Sequence, residues 1–128
     1  MREMTPDITS SLLSTSHNPL TPLDFLKRCE LVFPHKQAVV YRDRSYTWKE
    51  FSNRVYRLAN GLKRRGISRG DRVAILSRNN NANLEAFYGI GMAAAVSVPL
   101  NYRLMASEVE YILNHSGSRA VVAEHLYA

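Results

Sequence analysis

The chain has 128 residues, 45% of them hydrophobic and 22% charged, which is typical of one globular domain and excludes a wholly disordered protein. The net charge of +6 suggests nucleic-acid binding as one alternative, but the sequence lacks a recognised binding signature or interleaved aromatic and basic residues. We therefore expect no nucleic-acid partner. The longest uncharged stretch, residues 86–102, contains Pro99 and is shorter than the roughly 20 apolar residues of a membrane-spanning helix.

The sequence gives little support for a metal site or for a catalytic nucleophile. The single cysteine, Cys29, excludes an internal disulfide and fits a reducing compartment. His35 follows six residues later and could serve as its base, but nothing nearby would lower the thiol pKa, so we interpret Cys29 as a small apolar residue. The histidines are scattered without metal-ligand spacing, at positions 17, 35, 115 and 125.

Residues 1–17 are rich in Ser and Thr, lack apolar periodicity and predict a flexible leader, with the domain occupying residues 18–128. The first helix is predicted from Thr21 as N-cap and Pro22 at the first helical position. It should direct Leu23, Leu26 and Leu31 toward a core and end near Phe33-Pro34.

A β-hairpin and a strongly marked helix follow. Residues 37–41 and 45–47 read as strands joined by a turn at 42–44. Thr47 and Glu50 form a capping box, and Gly66 suits the helix end. Apolar residues recur on one face of this helix, namely Trp48, Phe51, Val55, Leu58, Ala59 and Leu62. The basic residues on the opposite face are predicted to be solvated, namely Arg54, Arg57, Arg64 and Arg65.

The remaining chain alternates helices with strands. Strands are predicted at 72–76, 96–99 and 119–123, the first apolar enough to be central in a sheet. Helices are predicted around residues 84–91 and over 108–114. This rhythm predicts right-handed βαβ crossovers on a mostly parallel sheet, so the fold class is α/β with a small N-terminal hairpin.

Residues 89–94, Gly-Ile-Gly-Met-Ala-Ala, match the dinucleotide fingerprint G-x-G-x-x-A. The fingerprint requires a strand before the glycines and a helix after them, so that helix N–H groups face the pyrophosphate. Here the order is reversed. We interpret these small residues as allowing a helix to lie close against the sheet.

Seven segments taken together resemble the opening of the adenylate-forming (AMP-binding) superfamily of acyl-activating enzymes, which includes acyl-CoA synthetases, 4-coumarate–CoA ligases and luciferases. The stretch 18–33 is most similar to plant-type enzymes related to butyrate– and benzoate–CoA ligases. The segments, in chain order, are residues 18–22, 38–41, 46–48, 57–62, 70–74, 85–89 and 99–104.

The resemblance implies an ATP-dependent acid–CoA ligase with ATP, Mg²⁺ and coenzyme A as cofactors, and a place within the family's N-terminal subdomain. In the family, the phosphate loop, the adenine and ribose contacts, the Mg²⁺-binding acid and the C-terminal lysine come from later parts of the chain. No catalytic, cofactor-binding or metal residue is therefore assigned here, and the chain is expected to be inactive alone.

The alternative is a non-catalytic half-domain that pairs with a full-length ligase or with itself through an exposed sheet edge. An intracellular, cytoplasmic location is the default expectation, since the ending Leu126-Tyr127-Ala128 is not the peroxisomal signal of some relatives.

Two positions depart from the family pattern. Ala94 stands where the family usually has glycine, which matters only if the backbone there needs a positive φ. Met105 stands where a capping Thr, Ser or Asn is usual, at a cost of ~1 kcal/mol to the following helix.

Overall fold

The computed structural model describes residues 20–127, so the predicted leader at 1–17 lies outside the described residues. Its helices are α1 (Pro22–Val32), α2 (Trp48–Arg64), α3 (Asn81–Met92) and α4 (Ala106–Ser116). Its strands are β1 (Gln37–Tyr41), β2 (Arg44–Thr47), β3 (Arg72–Leu76), β4 (Val96–Pro99) and β5 (Ala120–Ala123), followed by a 3-10 turn (His125–Tyr127). The predicted α/β order is confirmed. Within residues 20–127, none of the helices combines the length and the apolar character needed to cross a membrane.

Helix α1 begins and ends where the sequence predicts. The Thr21 side chain accepts a hydrogen bond from the Asp24 backbone, while the Asp24 carboxylate accepts from the Thr21 backbone N–H at 2.9 Å. Leu26 is buried in a cluster with Phe51 and Val55 of α2. The prediction for Leu31 is wrong: its side chain is 82% exposed, because α1 packs on α2 and α3 along one narrow face only.

The hairpin of β1 and β2 is antiparallel and rests on α2, which begins at the predicted capping box. Thr47 N–H donates to the Glu50 carboxylate at 2.8 Å, and this bond is the main reason that the pKa of Glu50 falls below its ordinary value. Helix α2 is tied to α1 by the Tyr56 hydroxyl, which donates to Glu30 at 2.5 Å. Burial, followed by this hydrogen bond, raises the pKa of Tyr56 to about 12.

Strands β3, β4 and β5 form a parallel sheet in the order β4-β3-β5, so the predicted central position of β3 is confirmed. Successive side chains of a strand point to opposite faces. Val73 and Ile75 lie on the face that packs with α2 and α3, where they join the main core. The other core members are Ala59 and Leu62 of α2, Ile67 between α2 and β3, Ala86 and Ile90 of α3, and Ala93 just after α3.

The opposite face of the sheet is only partly covered. Helix α4, which connects β4 to β5, has no fully buried side chain. It begins at Met105, whose backbone N–H donates to Glu108 at 2.8 Å while its side chain makes no capping bond, so half of a capping box is present. It ends at Gly117, which has a φ of 61° as the predicted helix break requires.

Two features of α3 bear on the interpretation of residues 89–94. A Cβ placed on Gly89 would lie 2.7 Å from Cδ2 of Leu58, so this glycine permits close contact with helix α2. Ile90 and Ala93 of the same stretch lie in one core cluster with Val73 and Ile75, so the predicted packing against the sheet is present there as well. Ala94, just after the helix, has a φ of 60°. The backbone there does need the left-handed region, so alanine replaces the family's glycine at an energetic cost.

Candidate functional site

The carboxyl edge of the parallel sheet is the place where α/β folds of this topology bind ligands. From β3 the chain crosses to β4 on one side, and from β4 it returns past β3 to β5 on the other. The strand order thus reverses between β3 and β5, and the crevice outside such a reversal is the general ligand position in open α/β sheets. The residues that follow β3 and β5 therefore define the candidate site.

A doubly hydrogen-bonded ion pair joins the two loops at this crevice. Arg78 follows β3 and Glu124 follows β5; their Nη2 and Oε1 atoms lie 2.8 Å apart, and Nε and Oε2 lie 3.3 Å apart. The backbone N–H of Arg78 also donates to Glu124 Oε2, at 3.1 Å. These hydrogen bonds lower the pKa of the Glu124 carboxyl and raise that of the Arg78 guanidinium. The pair fixes both loops and engages the Arg78 guanidinium.

Beside this pair lies an open groove of about 480 Å³ between α4 and the strand ends. Its walls are mainly apolar, and they come from β3, from the loop after β4, from α4 and from the 3-10 turn. The Tyr102 and Tyr127 rings stand 6.5 Å apart at one side of it. The principal lining residues are Leu76, Tyr102, Leu104, Val109, Leu113 and Tyr127. The groove offers apolar contact rather than a constellation of reacting groups.

The same edge does not fit the phosphates of ATP. At the N-terminus of α3, the Asn80 side chain accepts from the Asn83 N–H at 2.8 Å, so the protein itself satisfies a donor that would face a phosphate. The preceding Asn79 and Asn80 carry side chains where a phosphate-binding loop has glycine, and Arg78 is paired with Glu124. Among residues 20–127 no three His, Cys, Asp or Glu side chains cluster as a metal site. No reaction step can be derived through ATP or Mg²⁺ on these residues.

A second polar cluster connects α2 to α3. Glu85 is buried, and its Oε1 accepts from Arg54 Nε at 2.7 Å and from Asn81 Nδ2 at 3.0 Å. The Arg54 guanidinium also stacks over Tyr46, 4.8 Å from the ring centroid. The prediction that Arg54 is solvated is only partly correct: its side chain is 40% exposed, while Glu85 holds the guanidinium between the helices. A lone acid within an apolar helix is the sequence signal that could have revealed this partner.

The cysteine and histidine considered as a nucleophile and base are not organised as one. Cys29 is a free, half-buried thiol on α1, while His35 is exposed in the loop after it. Among the described residues no hydrogen bond joins them. Ser52, missed in the sequence, is fully buried in α2, and its hydroxyl has no hydrogen-bond partner.

Comparison with known proteins decides the family. The sequence model of the AMP-binding enzyme family matches residues 26–128. The chain belongs to this family. The resemblance predicted from the seven segments is confirmed.

Relatives within the family are acid–CoA ligases several times longer than this chain. A 4-hydroxybutyrate–CoA ligase from Metallosphaera sedula is 46% identical over 111 residues, which are 87% of this chain and 20% of the relative. A crystal structure from Rhodopseudomonas palustris, of a protein described as a long-chain-fatty-acid CoA ligase, overlays with a TM-score of 0.79 at 35% identity, covering 84% of this chain and 28% of the other. The chain therefore spans about a fifth of the length of the curated relatives it matches.

The chain also resembles a crystal structure of o-succinylbenzoate CoA synthetase from Bacillus subtilis in complex with ATP and a magnesium ion. It overlays with a TM-score of 0.76 at 25% identity, and covers 81% of this chain and 28% of that one. These overlays confirm the α/β fold class and its correspondence to the N-terminal subdomain of adenylate-forming enzymes. The expectation that no residue of this chain is catalytic or binds a cofactor stays a prediction, as does the domain boundary at residue 18.

Proposed function

We propose that this chain forms the N-terminal part of an ATP-dependent carboxylic acid–CoA ligase and is catalytically silent by itself. The observation that carries the proposal is the combination of a family match over residues 26–128 with a carboxyl edge at which Arg78 is paired with Glu124 and the Asn83 N–H is capped by Asn80. In the family reaction, a carboxylate attacks the α-phosphate of ATP to give an acyl-adenylate and pyrophosphate. The thiol of coenzyme A then displaces AMP and forms the thioester.

Within that reaction, the residues described here would supply structure. The ion pair of Arg78 and Glu124 holds the loops after β3 and β5 in one geometry, and the bond between Arg54 and Glu85 fixes α2 against α3. Both pairs join elements at a distance from each other in sequence, so they rigidify the scaffold on which later parts of a ligase would rest.

Two proteins test this proposal. The first is the 128-residue chain itself, assayed for ATP–pyrophosphate exchange with short-chain and aromatic acids; we expect no turnover above background. The second is a chimera in which residues 20–127 replace the matched segment of the Metallosphaera sedula ligase. Here we expect thioester formation from 4-hydroxybutyrate, the acid in that relative's name. Clear turnover by the short chain, or a folded chimera without activity, would contradict the proposal.

A second candidate function is a non-catalytic half-domain that pairs with a full-length ligase. The observation that favours it is the incompletely covered sheet face beside α4, since parallel sheets are ordinarily buried on both faces. Co-purification of the tagged chain with a full-length ligase of the same family tests it. A stable monomer that ignores the ligase in size-exclusion chromatography would count against this function.

A further inference from the structure

The end of helix α1 exposes apolar side chains of the kind that a folded domain ordinarily buries. Leu31, Val32 and Phe33 follow one another in the chain, and they are 82%, 51% and 42% exposed. Phe25 lies two turns earlier on the same face as Val32 and is 55% exposed. A run of three exposed apolar residues is unfavourable unless it serves a contact. The end of α1 is therefore a candidate interaction surface.

Cationic side chains surround these apolar residues. Lys27 and Lys49 line a groove of about 510 Å³ together with Leu31. The Nζ atom of Lys36 lies 4.6 Å from the centre of the Phe33 ring. We call this region the α1 tip. Its apolar members are Phe25, Leu31, Val32 and Phe33, and its cations are Lys27, Arg28, Lys36 and Lys49.

The positive charge of the α1 tip is available to a partner. Within residues 20–127, none of the four cations belongs to a salt bridge. The two acids of α1 have hydrogen-bond donors of their own. Glu30 accepts from the Tyr56 hydroxyl, and Asp24 accepts from the backbone of the helix cap. An anionic partner would therefore gain from all four cations.

Backbone hydrogen bonds hold the α1 tip in place. The Phe33 N–H donates to the Cys29 carbonyl at 2.9 Å and closes the last turn of α1. The Lys36 N–H donates to the Phe33 carbonyl at 3.0 Å. The Lys49 N–H, at the start of α2, donates to the Pro34 carbonyl at 3.0 Å. Because the segment is already ordered, a partner can bind it without a large loss of conformational entropy.

Shape and charge together select the partner. Successive side chains of a helix point about 100° apart, so Leu31 and Val32 face different directions, and a flat protein surface would not cover both. A second copy of the chain would bring the same cations together, which opposes a dimer. Nucleic acid would engage the cations and leave the apolar side chains in water. The headgroup layer of an anionic bilayer surrounds a protruding tip and offers both contacts.

We propose that the α1 tip attaches the protein to the surface of a membrane that contains anionic phospholipids. Its apolar side chains enter the boundary between headgroups and acyl chains, while the cations stay at the level of the phosphates. The attachment is peripheral, because α1 keeps its opposite face, with Leu26, packed on α2. The inference does not rest on the proposed function, since the α1 tip lies outside the candidate site.

Co-sedimentation of the 128-residue chain with lipid vesicles tests the proposal. Phosphatidylcholine vesicles with about one-third phosphatidylserine should bind the chain at least about tenfold more tightly than pure phosphatidylcholine vesicles. No binding by the folded chain would overturn the proposal. Release from the vesicles by millimolar phosphate at constant ionic strength would do the same, because it would indicate a site for a soluble anion.

A pair of matched substitutions tests the apolar contact. Leu31→Glu should lower the partition coefficient at least about tenfold, because it replaces an inserted apolar side chain by an anion. Tyr111→Glu makes the same change in charge at a 67% exposed position of α4, on the other face of the sheet, and should have little effect. Both variants should keep the melting temperature of the parent. Equal losses of binding would overturn the assignment to the α1 tip.

A second pair tests the charge. Lys27→Gln with Lys49→Gln should lower the partition coefficient roughly 25-fold, at about fivefold for each cation near the bilayer. Lys63→Gln with Arg64→Gln removes the same charge about 21 Å further along α2, which is two Debye lengths in about 0.1 M salt, and should have little effect. Equal losses would show that only the overall charge matters. Tighter binding to duplex DNA than to the vesicles would also refute the proposal.

The Metallosphaera chimera described above shows whether the α1 tip is also free in a ligase. We expect the chimera to bind the same vesicles and Leu31→Glu to weaken that binding. A chimera that forms the thioester but does not bind the vesicles would overturn this inference and leave the proposed function intact. A chimera that binds through Leu31 but forms no thioester would do the reverse.

Discussion

Replacing Ala94 by glycine should stabilise the protein. Ala94 has a φ of 60° and is exposed, so its methyl group adds backbone strain without filling a core position. Its conformation is held from both sides: its N–H donates to the Gly91 carbonyl at 2.9 Å, and its carbonyl accepts from the Gly70 N–H at 2.9 Å. The loop cannot relax away from the left-handed region without losing these hydrogen bonds.

The size of the effect follows from two opposing contributions. An L-residue in the left-handed region costs roughly 1–2 kcal/mol, which glycine avoids. Glycine in turn costs about 0.4–1 kcal/mol, through the greater freedom that it gives the unfolded chain. The net gain for Ala94→Gly is about 0.5–1 kcal/mol, or roughly 3–6 °C in melting temperature for a domain of this size.

Urea and thermal unfolding followed by circular dichroism measure this change. The matched control is Ala93→Gly at the preceding position, which has a φ of −79° and is only 3% exposed. There, glycine relieves no strain and removes a buried methyl group, so we expect a loss of about 1 kcal/mol. If both glycines destabilise the protein, Ala94 is not strained and the reasoning fails.

Three further predictions concern packing and pH. Gly89→Ala should cost about 1–3 kcal/mol, because the new methyl would clash with Leu58, and Leu58→Ala in the same chain should recover part of that loss in a double-mutant cycle; purely additive losses would contradict the contact. Ser52→Ala should raise the free energy of unfolding by about 1 kcal/mol by removing a buried hydroxyl without a partner, and a clear loss in urea unfolding would show that the hydroxyl is satisfied. The pKa of Glu124 is lower in the folded protein than in the unfolded chain, so the stability that its bond to Arg78 contributes is present above the unfolded pKa and is lost as the pH falls through the folded one. Urea midpoints from pH 7 to pH 3 should therefore fall less steeply in Glu124→Gln than in the parent, and identical slopes would exclude this carboxyl as a contributor.

Local signals explain how much of the fold could be predicted. The N-cap at Thr21, the capping box at Thr47, the break at Gly117 and the apolar run of β3 act over four or five residues, and the structure confirms each of them. Partners distant in sequence were not predictable in this way. Glu85 lies 31 residues from Arg54, and only the packing of α3 on α2 brings them together.

The same distinction explains residues 89–94. The spacing of glycines in this stretch is a local feature. It resembles a cofactor motif because small residues allow any neighbouring group, whether a ligand or another helix, to come close to the backbone. What decides its meaning is the neighbour: Leu58 of α2 occupies the space beside Gly89, and the helix precedes the glycines instead of following them. A pattern of small residues therefore indicates a close contact, and only the tertiary partner shows whether that contact is with a phosphate or with a side chain.

The candidate site supports the proposal that activity requires further elements of a ligase. An adenylating enzyme must place cationic and N–H donors where charge develops on the phosphates. At the carboxyl edge of this sheet, the guanidinium of Arg78 is engaged by Glu124, and Asn80 caps the adjacent helix. Donors that are already satisfied cannot stabilise a transition state without first breaking bonds that hold the scaffold. The groove beside them is apolar and open, so what this edge offers to the rest of a ligase is a surface for packing.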